Sequence, residues 1–180
     1  MSGEHRNERQ SLDTVERVAR AVEPTAAVWL ARAHSRHDQL TKPPGSLGRL
    51  EALGARLCAI QKTLSPTVER CRVVVFAGDH GVAAAHAVSP YPCAVTAQMV
   101  GNFAAGGAAI NALAGAIGVE VEVIDIGVAS PLPAVAQASA DAAPDPSGRA
   151  RVIHARVAAG TADFAATPAM THSQLAAALA

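Results

Sequence analysis

The 180-residue sequence has few aromatic residues, few charged residues and no excess of either charge. Aromatic residues make up only 3% of the chain, and 15 Lys and Arg residues balance 15 Asp and Glu residues, for a formal net charge of zero. Proteins that bind single-stranded nucleic acid combine stacking aromatics with a basic groove, and an anionic membrane likewise attracts a basic surface. The composition therefore argues against nucleic acid and membranes as partners.

Cysteine and long apolar runs are also scarce. The three cysteines, Cys58, Cys71 and Cys93, are odd in number and lack CxxC spacing. This pattern favours reduced thiols in the cytoplasm over a disulfide framework or a zinc site. The polar N-terminus lacks the apolar core of a signal peptide, and no apolar run is long enough to cross a bilayer. We therefore expect a cytoplasmic protein without a bound metal ion.

The hydrophobic residues, which make up half of the chain, follow patterns typical of an α/β fold. β-Branched runs bounded by glycine predict strands at 72–77, 119–128 and 151–157. A helical crossover between the first two strands predicts parallel pairing. Such a sheet is narrow with open edges, and the last predicted helix has no C-cap. We therefore expect the chain to be the front part of a longer protein.

Helical patterns carry their own start signals and apolar faces. Ser46 is a predicted N-cap, and Thr171 with Gln174 has capping-box spacing. After Ser46, apolar residues recur at spacings of three and four: Leu50, Leu53, Leu57, Ile60 and Leu64. A second apolar face, expected to pack on the sheet, comprises Val95, Met99, Phe103, Ile110, Leu113 and Ile117. Gly106 and Gly107 interrupt this second pattern, so the helix breaks there or another backbone packs closely.

The candidate site residues are polar groups at the end of the first strand and in the segment after it. Ligands of parallel sheets bind beyond the carboxyl ends of the strands, where Asp79 and His80 fall. Asp79 could orient His80 for proton transfer, or it could cap the turn through backbone amides. Ser89, Gln98 and Asn102 are neutral groups that suit an uncharged heteroaromatic ligand. On pattern alone, an exposed helical position is the favoured interpretation of Gln98.

Six blocks between residues 40 and 180 resemble one family, nicotinate-nucleotide–dimethylbenzimidazole phosphoribosyltransferase. The blocks occur in family order. They are Thr41-Lys-Pro-Pro-Gly-Ser-Leu-Gly-Arg-Leu-Glu51, Phe76-Ala-Gly-Asp-His-Gly-Val82, Val88-Ser-x-Tyr-Pro92 followed by Val95-Thr-Ala-Gln-Met-Val100, Asn102-Phe-x-x-Gly-Gly-Ala-Ala-Ile-Asn111, Val123-Ile-Asp-Ile-Gly-Val128, and Gly160-Thr-Ala-Asp-Phe with Pro168-Ala-Met170.

The resemblance implies a doubly wound α/β fold with a small helical domain, usually in a homodimer. We accordingly divide the chain into an N-terminal helical segment, 1–66, and the front part of the doubly wound parallel sheet, 67–180. The implied reaction moves phosphoribose from nicotinate mononucleotide to 5,6-dimethylbenzimidazole without a cofactor. It gives α-ribazole 5′-phosphate and nicotinate, in cobalamin biosynthesis.

The resemblance also assigns residues to the site. By motif position, Ser89 and Gln98 would line the benzimidazole pocket, and the turn Asp79-His80-Gly81 would form its floor. The family's glycine-rich phosphate loop and its catalytic glutamate lie beyond Ala180. Because the transfer requires an anion cradle and a base, we expect no catalytic residue in this chain and no activity from it alone.

Two alternatives to a truncated enzyme stay open. The chain could be a non-enzymatic, shortened paralogue that binds a base or dimerises with a full-length partner. It could also be an unrelated metal-dependent hydrolase that uses Asp79 and His80.

Overall fold

The computed structural model of the protein describes residues 4–69, 71–138, 145 and 148–179, with side chains from residue 13 onward. Three helices come first: α1 (Glu4–Ala21), α2 (Ala27–Asp38) and α3 (Arg49–Gln61). The remaining elements are β1 (Arg72–Gly78), α4 (Gly81–Ala85), α5 (Ala94–Ala105), α6 (Ala109–Ala116), β2 (Glu120–Gly127), α7 (Ala134–Ala138), β3 (Ala150–His154) and α8 (His172–Leu179). The Cα positions cluster into two compact units, of which one is Arg17–Glu69 and the other contains the sheet.

The three strands form one parallel sheet in the order β1-β2-β3, which confirms the α/β prediction. The ends of β1 and β2 lie within one residue of the predicted ends, and β3 ends three residues before its predicted end. The pairing of β1 with β2 is regular up to Ala77, where an irregularity brings Gly78 opposite Gly127. This irregularity lies at the carboxyl end of the sheet, next to the turn that contains Asp79. The predicted domain boundary at residues 66 and 67 stays a prediction.

One face of the sheet is the core of its unit. Alternate residues of the strands point to that face, because successive strand side chains point to opposite sides. Val121, Val123 and Val152 are almost fully buried there. They pack with small residues of the neighbouring helices: Ala97, Val100, Ala104, Ala114 and Ala136.

The predicted apolar face of α5 and α6 was wrong for three of its six members. Leu113 and Ile117 are 70% and 75% exposed, and Met99 is also exposed. The helical pattern breaks at Gly106, whose φ of +85° is left-handed, so α6 does not continue the face of α5. Small residues face the core instead, because they let a helix approach the sheet closely. Val95 and Phe103 are only partly buried.

The apolar face predicted for α3 was also wrong in part. Leu50, Leu53 and Ile60 are exposed, whereas the small side chains Ala55 and Cys58 are buried with Ala33 of α2, and Ala59 is buried too. Close helix packing therefore selects the small-residue side of α3.

The start of α3 differs from the prediction as well. Its N-cap is Gly48 rather than Ser46. Glu51 stabilises this turn, because its carboxylate accepts hydrogen bonds from Lys42 Nζ at 2.7 Å and from the Leu47 amide at 3.2 Å. These two bonds, the one from Lys42 first, lower the pKa of Glu51. At the other end of the chain, the capping box of α8 is confirmed by reciprocal bonds between Thr171 and Gln174.

Charged side chains cross-link the three strands at the start of the sheet. Arg72 of β1 contacts Glu120 at 2.8 Å and Glu122 at 3.1 Å, and Arg151 of β3 also contacts Glu122. The hydrogen bond to Glu120 and the charge of Glu122 raise the pKa of Arg72. Within the described residues, no helix is long and apolar enough to cross a membrane.

Candidate functional site

Two segments far apart in the sequence meet at the carboxyl ends of β1 and β2. The turn after β1 is held to β2 by a hydrogen bond from the Asp79 amide to the Gly127 carbonyl at 3.0 Å. It is held to the segment 160–164 by bonds from the Thr161 amide to the Asp79 carbonyl, at 2.9 Å, and from the Gly81 amide to the Thr161 carbonyl, at 3.0 Å. The turn therefore behaves as a short parallel bridge between His80 and Thr161.

Glycines permit this close approach. A Cβ atom on Gly81 would lie 2.6 Å from the Asp163 amide nitrogen and 2.8 Å from the Thr161 carbonyl oxygen. Gly160 has a left-handed φ of +84°, and a Cβ there would lie 3.0 Å from the Asp79 carbonyl oxygen. Larger residues would push the two segments apart, so both glycines are needed for the geometry of the turn.

The carboxylate of Asp79 is a structural clamp. It is only 7% exposed, and its Oδ1 accepts a hydrogen bond from the Thr96 hydroxyl of α5 at 2.6 Å. Its Oδ2 accepts from the Ala129 amide, after β2, at 2.7 Å. Asp79 thus joins β1, α5 and the loop after β2. No hydrogen bond between the Asp79 and His80 side chains is present among the described residues, so of the two interpretations of Asp79 the geometry favours the backbone-binding one.

The side chain of His80 is oriented by the segment 160–164 instead. Its Nδ1 lies 3.3 Å from Thr161 Oγ1, and its ring packs edge-on against Phe164 with centroids 6.3 Å apart. A second histidine joins the same two parts of the chain, because His86 Nε2 lies 2.9 Å from Asp163 Oδ2. The Ala165 amide and then His86 lower the pKa of Asp163.

A groove of about 430 Å³ opens between the end of β1, the loop after α4 and helix α5. Its walls are mostly apolar. They comprise Val75, Phe76, Ala77, Gly78, Ala83, Pro92, Val95, Met99, Val100 and Phe103. Asp79, His80, Ser89, Tyr91, Cys93 and Thr96 add the polar groups. Both oxygens of the Asp79 carboxylate already accept hydrogen bonds from the chain, from Thr96 and from Ala129. The groove therefore offers a ligand apolar contacts and mainly neutral hydrogen-bonding groups.

The structure brings three of the five predicted site residues to this groove. Asp79, His80 and Ser89 line it, whereas Gly81 belongs to the turn without lining the groove, and Gln98 is an exposed residue of α5 outside the lining. The Ser89 hydroxyl is engaged in its own turn, since it accepts from the Tyr91 amide at 3.2 Å and donates to the Tyr91 carbonyl at 3.1 Å. The assignment of all five to ligand binding stays a prediction.

A smaller apolar cavity of about 130 Å³ lies on the other side of the turn. Asp79 and His80 border both spaces, and the smaller one is closed by Gly160, Thr161 and Gln174, among others. Within the described part of the chain, no three acidic, histidine or cysteine side chains are grouped as a metal site would require.

Sequence reasoning missed the residues that orient the predicted ones. Thr96 holds Asp79, and Thr161 and Phe164 hold His80. The segment from Gly160 onward was recognised only as part of the family pattern. Gly160, Thr161 and Phe164 in this segment are residue types that occur at binding sites. Nothing in the neighbouring sequence indicated which turn the segment would contact.

A parallel α/β sheet with a groove beyond its carboxyl edge defines a class of protein that binds small molecules at the strand ends. Within that class the comparison with known sequences is specific. A model of the phosphoribosyltransferase family matches residues 22–180, so the chain belongs to this family.

Individual relatives agree with the family match. The chain is 48% identical to the nicotinate-nucleotide–dimethylbenzimidazole phosphoribosyltransferase of Ectopseudomonas mendocina, covering 85% of this chain and 39% of that protein. It is 42% identical to the protein of the same name from Salinispora tropica, covering 92% of this chain and 45% of that protein. The crystal structure of CobT from Thermus thermophilus matches with a TM-score of 0.67 and 44% identity, over 83% of this chain and 40% of that one. The chain thus spans less than half the length of these relatives.

Proposed function

We propose that this chain forms the base-binding part of a nicotinate-nucleotide–dimethylbenzimidazole phosphoribosyltransferase. The reaction transfers phosphoribose from nicotinate mononucleotide to 5,6-dimethylbenzimidazole and releases nicotinate. Its product, α-ribazole 5′-phosphate, serves cobalamin biosynthesis. The relatives that carry this name, and their identity to the chain, support the proposal.

The single observation that favours base binding is the character of the groove. A benzimidazole is flat, apolar and neutral, with polar atoms only at its two nitrogens. The groove matches this chemistry, since apolar side chains of β1 and α5 form much of its wall and His80 and Ser89 are among its few polar residues. A phosphate, by contrast, requires cationic or backbone amide donors, and none of the described lysines and arginines lines this groove.

We further propose that phosphoribose transfer needs residues outside this chain. The family resemblance implies that the glycine-rich phosphate loop and the catalytic glutamate would lie beyond Ala180, which supports this proposal. The 180-residue chain should therefore bind the base but release no nicotinate from nicotinate mononucleotide. A homodimer in the cytoplasm is the proposed setting, as the family resemblance implies.

A groove-filling variant tests base binding. Ala83 of α4 lines the groove, so Ala83→Leu should fill the space and weaken 5,6-dimethylbenzimidazole binding in a calorimetric titration. Ala84→Leu is the matched control, because Ala84 is the next residue of the same helix, is exposed and is not part of the lining. Failure of the unchanged chain to bind the base, or equal binding by both variants, would contradict the proposal.

A non-enzymatic protein that dimerises or binds a base is the second candidate, favoured by the open face of the sheet. Val74 and Phe76 of β1 are 42% and 68% exposed, and such apolar surface is typical of a contact with another chain. Val74→Lys should lower the mass measured by light scattering if β1 lies in a dimer interface. Steady release of nicotinate by the 180-residue chain would exclude a non-enzymatic role.

A further inference from the structure

The loop 86–92 forms one wall of the large groove and has few contacts of its own. Ser89, Tyr91 and Pro92 line the groove from this loop. All seven residues of the loop are exposed, Val88 by 63% and Tyr91 by 68%. Segments with few buried contacts open locally at a low free-energy cost. The position of this wall therefore depends on whatever joins the loop to the rest of the fold.

One side-chain contact joins the loop to a distant part of the chain. His86 Nε2 lies 2.9 Å from Asp163 Oδ2. Among the described residues, this is the only hydrogen bond that joins the loop to a part of the chain beyond α4 and α5. The segment that contains Asp163 is itself fixed to the turn after β1, because the Thr161 amide donates to the Asp79 carbonyl at 2.9 Å. The contact thus connects the exposed wall to the carboxyl end of the sheet.

The carboxylate of Asp163 is oriented for this contact. Its Oδ1 accepts a hydrogen bond from the Ala165 amide at 2.9 Å, and its Oδ2 faces His86. The Ala165 amide and then His86 lower the pKa of Asp163, so the carboxylate is ionised near neutral pH. An ionised carboxylate has no hydrogen to donate, so His86 Nε2 is the donor. A neutral histidine with its proton on Nε2 can donate, and a protonated histidine donates a stronger, charge-assisted bond.

Asp163 is the only acidic or strongly basic residue in the elements around His86. Helices α4 and α5 and the loop 86–92 contain no Asp, Glu, Lys or Arg, and the segment 160–164 contains Asp163 alone. The other titratable side chains of these parts and of the adjoining turn are His80, Tyr91 and Cys93. A change of charge on His86 therefore acts mainly on its contact with Asp163.

We propose that His86 and Asp163 position the wall of the groove for base binding, and that their contact holds the loop 86–92 more firmly when His86 is protonated. This inference rests on the proposed base binding. Neither residue lines the groove, so both act through the loop rather than on the base. Because a neutral histidine still donates, the contact weakens without disappearing as the pH rises. The two side chains are 49% and 21% exposed, so water and salt limit the size of the effect.

Hydrogen–deuterium exchange of the base-free 180-residue chain measures the opening of this wall directly. His86→Ala removes the contact, so the amides of the loop 86–92 should exchange up to about fivefold faster, the range for a partly exposed ion pair. The increase should be larger at about pH 5.5, where histidines are mainly protonated, than at about pH 8. Asp163 stays ionised at both values, because its pKa lies below 3.8. Comparing the two chains at one pH cancels the pH dependence of exchange itself.

A second variant separates the charge of His86 from its hydrogen bond. His86→Gln keeps an N–H donor near the Nε2 position but cannot be protonated. Exchange of the loop in this variant should match the unchanged chain at about pH 8 and should be faster than the unchanged chain at about pH 5.5. His34→Gln makes the same substitution at an exposed histidine of α2, and it should leave exchange of the loop unchanged at both values.

Calorimetric titration with 5,6-dimethylbenzimidazole then tests the link to binding. His86→Ala should weaken binding of the base by up to about fivefold, and by more at about pH 5.5 than at about pH 8. The ratio of the two affinities at one pH cancels any protonation of the base, because both chains meet the same ligand.

The outcomes distinguish this inference from the proposed function. If the unchanged chain does not bind the base, base binding itself is wrong and the positioning role falls with it. If the base binds but His86→Ala leaves exchange of the loop unchanged, or raises it by the same factor at both pH values, base binding stands and the inference is overturned. Faster exchange with unchanged affinity also overturns it. Should His86→Ala fail to fold, His86→Gln decides, since exchange equal to that of the unchanged chain at both pH values overturns the inference.

Discussion

Replacing Gly81 by alanine should break the contact on which the candidate site is built. The new Cβ would lie 2.6 Å from the Asp163 amide nitrogen, 2.7 Å from the Ala162 carbonyl carbon and 2.8 Å from the Thr161 carbonyl oxygen. All three are backbone atoms, so no flexible side chain can move aside. The turn after β1 and the segment 160–164 must therefore separate.

The expected cost follows from the two interactions that this separation affects. Overpacking of a well-packed site costs about 1–3 kcal/mol. The 3.0 Å hydrogen bond from the Gly81 amide to Thr161 is lost as well, at about 1 kcal/mol. A total of about 2–4 kcal/mol is a large fraction of the roughly 5–15 kcal/mol that is typical of a folded protein. The orientation of His80 by Thr161 should be lost with it.

Urea unfolding followed by circular dichroism measures this cost. Gly54→Ala is a matched control, because a Cβ there meets only the His37 ring at 3.7 Å and lies within α3. Alanine is a better helix former than glycine by about 1 kcal/mol, so this control should be neutral or stabilising. Equal stability of Gly81→Ala and the unchanged chain would refute the close approach of the two segments.

Three further predictions concern single side chains. Thr96→Val should leave Asp79 Oδ1 buried without its donor and cost about 1–3 kcal/mol in urea unfolding, whereas Thr96→Ser should cost much less; equal losses would contradict the clamp. Asp163 has a lowered pKa, so its contribution to stability is complete above its unfolded pKa, near 3.8, and is lost as the pH falls through the lower folded value. Asp163→Asn should flatten this acid dependence in thermal melts, and an unchanged slope would contradict it. Gln98→Ala should weaken 5,6-dimethylbenzimidazole binding several-fold if the base reaches past the groove wall, as one hydrogen bond is worth about 0.5–1.5 kcal/mol; unchanged affinity would remove Gln98 from the site.

The strands could be predicted because their signals are local. β-Branched runs bounded by glycine specify strands without reference to the rest of the chain, and the crossover rule then gives parallel pairing. The capping box at Thr171 and Gln174 is local in the same way, and it was confirmed.

The buried helix faces could not be predicted from the same kind of pattern. In an alanine-rich helix such as α5, both the large apolar side and the small side have helical periodicity. Hydrophobicity favoured the side with Met99, whereas the sheet accepted the side with Ala97 and Ala104, where the backbones can approach closely. The choice depends on the distance between elements, which the spacing of residues does not encode.

The candidate site shows the same division. Asp79 and His80 were located correctly at the end of β1 by the general rule for parallel sheets. Their partners were not, because Thr161 lies 81 positions after His80 and the two meet only in the folded chain. The orientation of the His80 ring depends on that distant contact.

The buried carboxylates of Asp79 and Asp125 accept hydrogen bonds from the chain itself. This limits which group could accept a proton in the proposed phosphoribose transfer. A benzimidazole nitrogen that attacks ribose must lose the proton of its other ring nitrogen, and a carboxylate could accept it. In the part of the chain that the structure describes, Asp79 is the only acidic residue lining the groove, and its two oxygens hold Thr96 and Ala129. Asp125, at the end of β2, is engaged by the Gly127 and Val128 amides and lies 3.6 Å from Arg156. Asp79 could act as a base only by giving up the contacts that join α5 and the loop after β2, and Asp125 does not line the groove. In the proposed reaction, this chain would therefore hold and orient the base while a group outside the described residues accepts the proton.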